Sequence, residues 1–546
     1  MIDKIKHIDP SKMTDLSELQ KVVGLCMNII ENQASLLDKQ AKEIQELKDE
    51  INRMKGEHGS PTQKPKVSHA TGQKPKIKPK RKPRKKGGKK DKIQIDNTVK
   101  CTIDESILPA DAIFKGYEEV VQQDIIFKRN NTLFKVPVYY SKKEGRTYRG
   151  TLPPEYEGQF GNELKAWLQT FHHLGDMTQG RLEILLKNIG ILISDGTICN
   201  ILLSNTKQMK EESISILQSG LEYVDFAQMD CTKSYESGTT KATQIICSPY
   251  YSFYQTMDNK SRCSVIGALQ GKASQEIPLL YNGKAIELLQ HSVVPKKDQR
   301  LLDQLLEVDQ TYTIADFESL LAGKAPHLLK KDSHAKVLSI LALNYYQTQE
   351  DFPIAKILLT DAGHEYADIV LIQLLCWIHE ERHYKKMIPK LTLHQTLLEQ
   401  VRCQIWEYYK KLLNFKELPP EEQDQKRTDL LQEFENIFTQ STTYDELNKR
   451  LAQTYSRKDK LLGVLDFPQV PLHNNTAELA VRRKARKRDI SLHTMSAKGT
   501  KAQDAFMSVV ETANKLGVNA FDYLLDRLRK KYQMTPLADL IRFHTH

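Results

Sequence analysis

The sequence predicts an α/β protein in which a mixed sheet is flanked by helices, with a coiled coil and a helix-turn-helix-like region ahead of it. Three observations carry that prediction. Twelve positions from Leu16 to Met54 are spaced 3,4,3,4 without a break. At Leu221 a helical pattern gives way to three short strand-like runs, YVDFAQMD, TQIICS and YYSFYQTM, with SYESGTTKA and PY between them. A helical stretch, an apolar strand ending in an acid and a basic helix follow, an order that builds a mixed sheet with helices against it.

At 546 residues the chain exceeds one ordinary domain. The expected division is 1–56 coiled coil, 57–94 basic linker, 95–155 small β module, 156–220 helix-turn-helix-like region, 221–490 sheet-bearing core and 491–546 C-terminal helices. Charge is unevenly placed. Lys64 to Lys92 holds fourteen Lys or Arg against Asp91 alone, so a formal charge of +11 leaves the remainder at −2. That is the pattern of a polyanion-binding arm and not of a uniformly basic protein. Eight scattered cysteines without a CxxC pair indicate neither a disulfide framework nor a Cys-rich zinc module. No apolar run approaches the roughly 18 residues of a membrane span, and MIDKIKHIDPSK lacks a signal-peptide core, so a soluble cytoplasmic protein is expected.

Taken in order, the seam Leu16, Leu19, Val23, Cys26, Ile30, Gln33, Leu37, Gln40, Ile44, Leu47, Ile51 and Met54 is a heptad repeat that predicts dimerisation through a coiled coil. The alternative is an amphipathic helix folded against its own protein. From Gly59 to Lys92, Lys-Pro units without apolar spacing predict a disordered, extended linker. There Lys78, Lys80, Arg81, Lys82, Arg84, Lys85 and Lys86 would give salt-sensitive, sequence-independent contact with DNA. DIIFKRN, TLFKVPVYYS and RTYRGTL read as short strands. MTQGRLEILLKNIG and SDGTICNILLSNTKQMKEE, joined at Gly190 and capped by Ser194, suit a helix-turn-helix. The three strand-like runs form an antiparallel meander with Asp230 ending the first. A mainly helical segment, about 273–351, leads to AKILLTDAG, where a strand delivers Asp361 into a small-residue turn.

The late helix begins in PLHNNTAELAVRRKARKR. With Asn475 as N-cap, Glu478 falls at the third helical position, and a capping box with Arg482 as i,i+4 partner is the plain structural reading. Three carboxylates from separate elements also suit hard divalent cations, which take oxygen ligands, and two-metal phosphoryl transfer. Spacing alone does not single out Asp230, Asp361 and Glu478 from 69 acids.

The strings LHNNTAELAVRRKARKRDISLH and FMSVVETANKLGVNAFDYL resemble the C-terminal signature of insertion sequence 66 family transposases. In that resemblance Glu478 matches the glutamate of an Asn-Asn-x-x-Glu-Arg motif, Asp230 with Thr232 the first aspartate, and Asp361, ahead of Cys376, Trp377 and His379, the second. It implies a ribonuclease-H-like core holding two Mg²⁺ ions, with Mn²⁺ as substitute, on these three residues. It further implies binding of terminal inverted repeats and target DNA, hydrolytic cleavage and strand transfer, helper proteins of the same element and a bacterial, nucleoid-associated setting. Arg482, Arg483, Lys484, Arg486, Lys487 and Arg488 would grip phosphates. The chain departs from the pattern at Leu479, at His473, at the solitary Cys101 where the family has a zinc module, and in an apparent insertion at about 272–353. A catalytically decayed, DNA-binding relative is the second reading.

A third reading comes from HEERH, His379 to His383, which satisfies the H-E-x-x-H zinc-peptidase pattern, with Glu399 or Glu407 as third ligand.

Overall fold

The computed structural model describes residues 15–54, 95–99, 117, 120–123, 128–153, 158–330 and 332–545. The linker cations Lys78 to Lys86 and Cys101 lie outside the described residues. Contacts group the chain into two units, residues 37–132 and residues 1–36 with 133–546. The smaller holds the second part of helix α1 (Leu16–Met54) and short stretches without regular secondary structure.

In the larger unit, β1 (Val138–Ser141) and β2 (Arg146–Arg149) form an antiparallel hairpin with Val138 opposite Arg149. Only the last four residues of TLFKVPVYYS are paired, and residues 124–127 of DIIFKRN lie outside the described set. Next come α2 (Asn162–His173), α3 (Gln179–Asn188), α4 (Asp195–Leu203) and α5 (Thr206–Tyr223). The first three close on Leu168, Leu182, Leu186, Ile198, Ile201 and Leu202. Gly190 turns the chain at φ +81°, a conformation that favours glycine. Ser194 Oγ then accepts from Thr197 N at 3.3 Å, satisfying a free donor of the α4 N-terminus.

The main sheet is built from β3 (Ala227–Glu236), β4 (Thr239–Cys247) and β5 (Ser252–Met257), then β8 (Ile357–Thr360) and β9 (Ile372–Leu375), in the order β5-β4-β3-β8-β9. β3, β4 and β5 are the antiparallel meander; β8 joins β3 in parallel, and β9 joins β8 likewise. Between the two groups lie α6 (Arg262–Leu269) and a segment that is less purely helical than its pattern predicts. Besides α7 (Gly283–Gln290), α8 (Lys296–Leu305), α9 (Ile314–Lys324) and α10 (Asp332–Thr348), it forms a two-stranded sheet of β6 (Pro278–Tyr281) and β7 (Gln310–Thr313). Leu279, Tyr281, Phe317 and Leu341 from this segment enter the same core as Ile266, Met229 and Phe253.

After β9 come α11 (Trp377–Lys385), α12 (Thr392–Lys416), α13 (Pro420–Phe438), α14 (Asp445–Tyr455) and α15 (Lys458–Leu462). They surround a second core that includes Trp377, Tyr408, Phe434 and Leu447. The chain closes with α16 (Asn475–Ser491), α17 (Ala497–Lys515), α18 (Ala520–Leu528) and α19 (Leu537–Thr545). Sheet residues alternate faces. Met229, Ile246 and Phe253 face the main core, while Ile245 and Tyr254 pack on Ala480 and Val481 of α16 and Met507 of α17.

Helix α1 meets its own chain through polar side chains. Glu31 accepts from the backbone N of Leu391 at 3.0 Å and of Lys390 at 2.5 Å, and lies 3.2 Å from His394 Nδ1. Asn28 Oδ1 accepts from Asp445 N at 3.0 Å while its Nδ2 donates to Thr443 O at 2.9 Å. Neither α12 nor α14 has a side-chain cap from its own N-cap residue, so α1 supplies both. The docking expected as the alternative therefore occurs around Asn28 and Glu31, yet Leu16, Leu19, Val23 and Ile30 of the heptad seam stay exposed. Among the described residues no helix is long and apolar enough to cross a membrane.

Candidate active site

Strand register brings two acids together. In the parallel pair β3–β8, Ala227 faces Leu358 and Gln228 faces Leu359. Two residues past that last rung on each strand come Asp230 and Asp361, set side by side by the same register. Asp230 lies opposite Ile245 on β4, and so shares the face that α16 covers. Cys231 N donates to Asp230 Oδ1 at 2.7 Å, and Gly363 N donates to Asp361 Oδ1 at 3.0 Å. A Cβ at Gly363 would stand 2.7 Å from Glu365 Oε2 and 3.0 Å from Asp361 Oδ1, so glycine is what lets the turn fold over Asp361.

Helix α16 is stitched along β3. At its start Asn474 Nδ2 donates to Met229 O at 2.9 Å, and Ala477 N donates to Gln228 Oε1 at 3.4 Å. At its far end Arg488 Nη1 donates to Lys233 O at 2.6 Å, and Thr494 N to Tyr235 O at 3.2 Å. This corrects the expected capping. The helix begins at Asn475, so Glu478 is its fourth residue, and Asn474 occupies the cap position without capping because its amide holds the strand.

Glu478 does not pair with Arg482. Arg382 of α11 donates through Nη2 to both carboxylate oxygens, at 2.9 and 3.0 Å, and through Nη1 to His379 Nε2 at 3.0 Å. His379 Nε2 is 3.7 Å from Glu478 Oε1. Burial, and then the Arg382 charge, hold the His379 imidazole below its usual range, so it accepts this bond as the neutral ring. Asp230 titrates high, at about 6, because burial penalises its charge and because Asp361 and Glu478 add negative potential. Glu365 and Asp361 likewise act on the neighbouring Cys231 thiol, which burial and Asp230 push up to about 12 while Lys260 opposes them. The three carboxylates thus share one electrostatic site. Among the described residues no group of three or more His, Cys, Asp or Glu side chains is arranged to hold a metal ion.

The basic end of α16 departs from the phosphate-gripping expectation in part. Lys484 is 3 % exposed and donates to Asp504 Oδ1 at 2.8 Å; Lys487 is fully buried and donates to His172 O. Arg483 is spent on Asp176, on Glu511 at 2.8 Å and on the carbonyls of His173 and Leu174. These three fix α16 to α2 and α17 and have no reach to a ligand. Arg482 and Arg486 remain exposed. Burial reverses the peptidase reading too. Glu380, which would be its general base, is 3 % exposed and held by Arg450, by Arg457 at 3.0 Å and by Thr454 at 2.6 Å.

Arg382, Glu365 and Lys260 were not singled out by sequence patterns. The spacing of Arg382, three residues after His379 on one helix face, was the available signal.

Residues 345–502, which span β8, α11 and α16 with Asp361 and Glu478, match the family model described as transposase IS66 family. Over this stretch the chain is similar to the IS66 transposase family. The IS66 match does not reach Asp230. An uncharacterized protein, y4jO, of Sinorhizobium fredii (strain NBRC 101917 / NGR234) is 27 % identical over 333 residues, 60 % of this chain and 99 % of that protein. The stretch shared with that relative is longer than residues 345–502.

Proposed function

We propose that this chain is a DDE transposase of the IS66 family with a ribonuclease-H-like core, which binds the terminal inverted repeats of its element, cleaves DNA strands by hydrolysis and transfers them to target DNA. The observation that carries the reading is the shared electrostatic site of Asp230 within β3, Asp361 just past the end of the adjacent β8, and Glu478 on the helix stitched to β3. The chemistry of that donor set suits a divalent cation: three hard oxygen donors, one of them pushed up to about 6 by burial and by the charges of Asp361 and Glu478. Asp230, Asp361 and Glu478 would hold Mg²⁺, or Mn²⁺ in its place, and the ions supply water activation and neutralisation of the developing phosphate charge. The chain's own residues orient the donors: Cys231 N and Gly363 N each fix one carboxylate oxygen, and Asn474 fixes the helix carrying the third.

DNA contact falls to the linker cations and to Arg482 and Arg486, with α3 and α4 as the helix-turn-helix. Helix α4, DGTICNILL, carries Asp195 and no Lys or Arg, so its share is base-edge or shape reading and not phosphate grip. The heptad seam of α1 takes a second copy of the chain. The test is Mg²⁺-dependent nicking of a duplex carrying the element's end. Wild type should cut, and Glu478→Gln should cut at least about 100-fold more slowly. Equal cutting by the two proteins removes Glu478 from the site, and no cutting by wild type, with salt-sensitive binding retained, favours the decayed, DNA-binding relative.

A further inference from the structure

Glu478 differs from its two partners in one respect. Among the described residues neither Asp230 nor Asp361 has an ion-pair partner, whereas both oxygens of Glu478 are taken by a single guanidinium nitrogen of Arg382. The Arg382 side chain is 42 % exposed and Glu478 22 %, so the pair sits at the rim of the site where solvent and a ligand can reach it. His379, itself 3.7 Å from Glu478 Oε1, braces the guanidinium by accepting from Nη1, and its Nδ1 has no partner among the described residues. A cation bound to Glu478 and a guanidinium on the same two oxygens repel each other, because like charges a few Å apart at a partly buried site are weakly screened. A guanidinium that donates to carboxylate oxygens donates to phosphate oxygens in the same way.

We propose that Arg382 is a positioning residue that occupies the Glu478 carboxylate in the free protein and exchanges it for a phosphate of bound DNA, so that cation binding at Glu478 and DNA binding are coupled through one side chain. This rests on the assignment of Glu478 as a cation ligand made above. His379 supplies the pivot: its bond to Nη1 does not involve Glu478, so the guanidinium can turn from carboxylate to phosphate without losing it. The exchange makes cation loading depend on DNA. By linkage, the effect of DNA on cation affinity must equal the effect of the cation on DNA affinity.

The experiment is Mn²⁺ binding to the full-length protein, followed by the loss of the free-ion resonance, with and without a duplex of arbitrary sequence, in wild type, Arg382→Gln, Arg382→Lys and Glu478→Gln. Removing a half-exposed ion pair should tighten Mn²⁺ binding to free Arg382→Gln by about threefold to fivefold. DNA should tighten Mn²⁺ binding to wild type by a similar factor and leave Arg382→Gln unchanged. Arg382→Lys, which keeps one charge and loses the paired bonds, should fall between, and it carries the test if the Gln variant is misfolded. Unchanged or weaker Mn²⁺ binding by free Arg382→Gln overturns the exchange, because a bracing role alone predicts no gain. Equal Mn²⁺ binding by wild type and Glu478→Gln overturns instead the ligand assignment beneath it.

Discussion

On one face of α11, Glu380 is buried and closed in by Arg450, Arg457 and Thr454, and Glu381 is held by Arg402; on the other face, one residue away, a half-exposed Arg382 leans over Glu478 beside two further acids. The same helix thus carries charges matched inside a core and charges left mismatched at a rim. A buried pair that satisfies all its bonds has nothing left to offer a ligand, and removing one partner strands the other. A rim pair costs little to open. The HEERH string looks alike at both kinds of position, which is why pattern alone assigned it a chemistry that burial takes away. Helix α16 repeats the contrast from end to end, with Glu478 at the rim and Lys484 and Lys487 sealed against Asp504 and His172.

The largest expected effect tests the buried side. Glu380→Ala leaves Arg450 in the core without its counter-charge and should lower stability by about 3–5 kcal/mol, read as a shifted denaturation midpoint by tryptophan fluorescence, since Trp377 lies in the same core. Arg382→Ala should cost less than about 1 kcal/mol. Similar losses in the two variants would erase the comparison. The pair also has a pH signature. Burial pushes the Glu380 carboxyl up, but Arg450, Thr454 and Arg457 outweigh it and hold the group below its ordinary value. A folded-state pKa below the unfolded one gives stability that is present above the unfolded value, near 4, and lost as pH falls through the folded one.

Asp230 has the opposite sign and a smaller effect. Its folded pKa of about 6 lies above the unfolded value near 4, so its contribution is favourable below pH 4 and is lost as pH rises toward 6 and beyond. Asp230→Asn should therefore stabilise the protein at pH 7.5 by about 1–3 kcal/mol and have no effect at pH 3.5, measured as the difference in melting temperature at the two values. Destabilisation at pH 7.5 would mean that Asp230 is a structural acid like Glu380. A site that holds like charges together for a ligand is destabilised without it.

What sequence made legible follows the same division. The meander, Asp361 past the end of β8 and the late helix were visible because alternation and apolar runs bounded by turn residues report backbone pairing directly. Asp230, expected to end the first strand, is instead the fourth residue of a strand that runs on to Glu236, because the SYE of the expected gap pairs with β4. β6 and β7 were not, since four-residue strands embedded among helices leave too short a period. The roles of the charged residues were the least legible. Lys484, Lys487 and Arg482 read identically in RRKARK, and only the packing of α16 against α2 and α17 separates two internal cations from an exposed one. Asn474 and Asn475 likewise differ by one position, and the strand carbonyl of Met229 decides which of them lies outside the helix.

Helix α1 offers a milder version of the buried case, because its polar residues cap two helices far away in sequence. Glu31→Ala removes acceptors from the N-terminus of α12, and Asn28→Ala one from that of α14, each expected to cost about 1 kcal/mol. Hydrogen exchange should rise at Leu391 and at Asp445 respectively, while molar mass in solution stays that of the wild type, since neither residue is on the heptad seam. A change in oligomeric state would mean that capping and self-association share residues.

The smallest effect on stability belongs to the exposed cations of α16. Arg482→Ala and Arg486→Ala remove side chains that face solvent, so unfolding should be unchanged within error. DNA affinity is where they should register. Removing one cation that pairs with a phosphate should lower the slope of log K against log salt by about 1, in parallel for all sequences, because such a pairing reads charge and not bases. Lys484→Ala and Lys487→Ala should do the reverse, leaving the salt slope of the folded fraction unchanged while lowering stability through unpaired Asp504 and the unsatisfied His172 carbonyl. If Lys487→Ala flattens the salt slope as much as Arg482→Ala does, the helix turns its buried face to DNA, and the inside and outside of α16 must be exchanged.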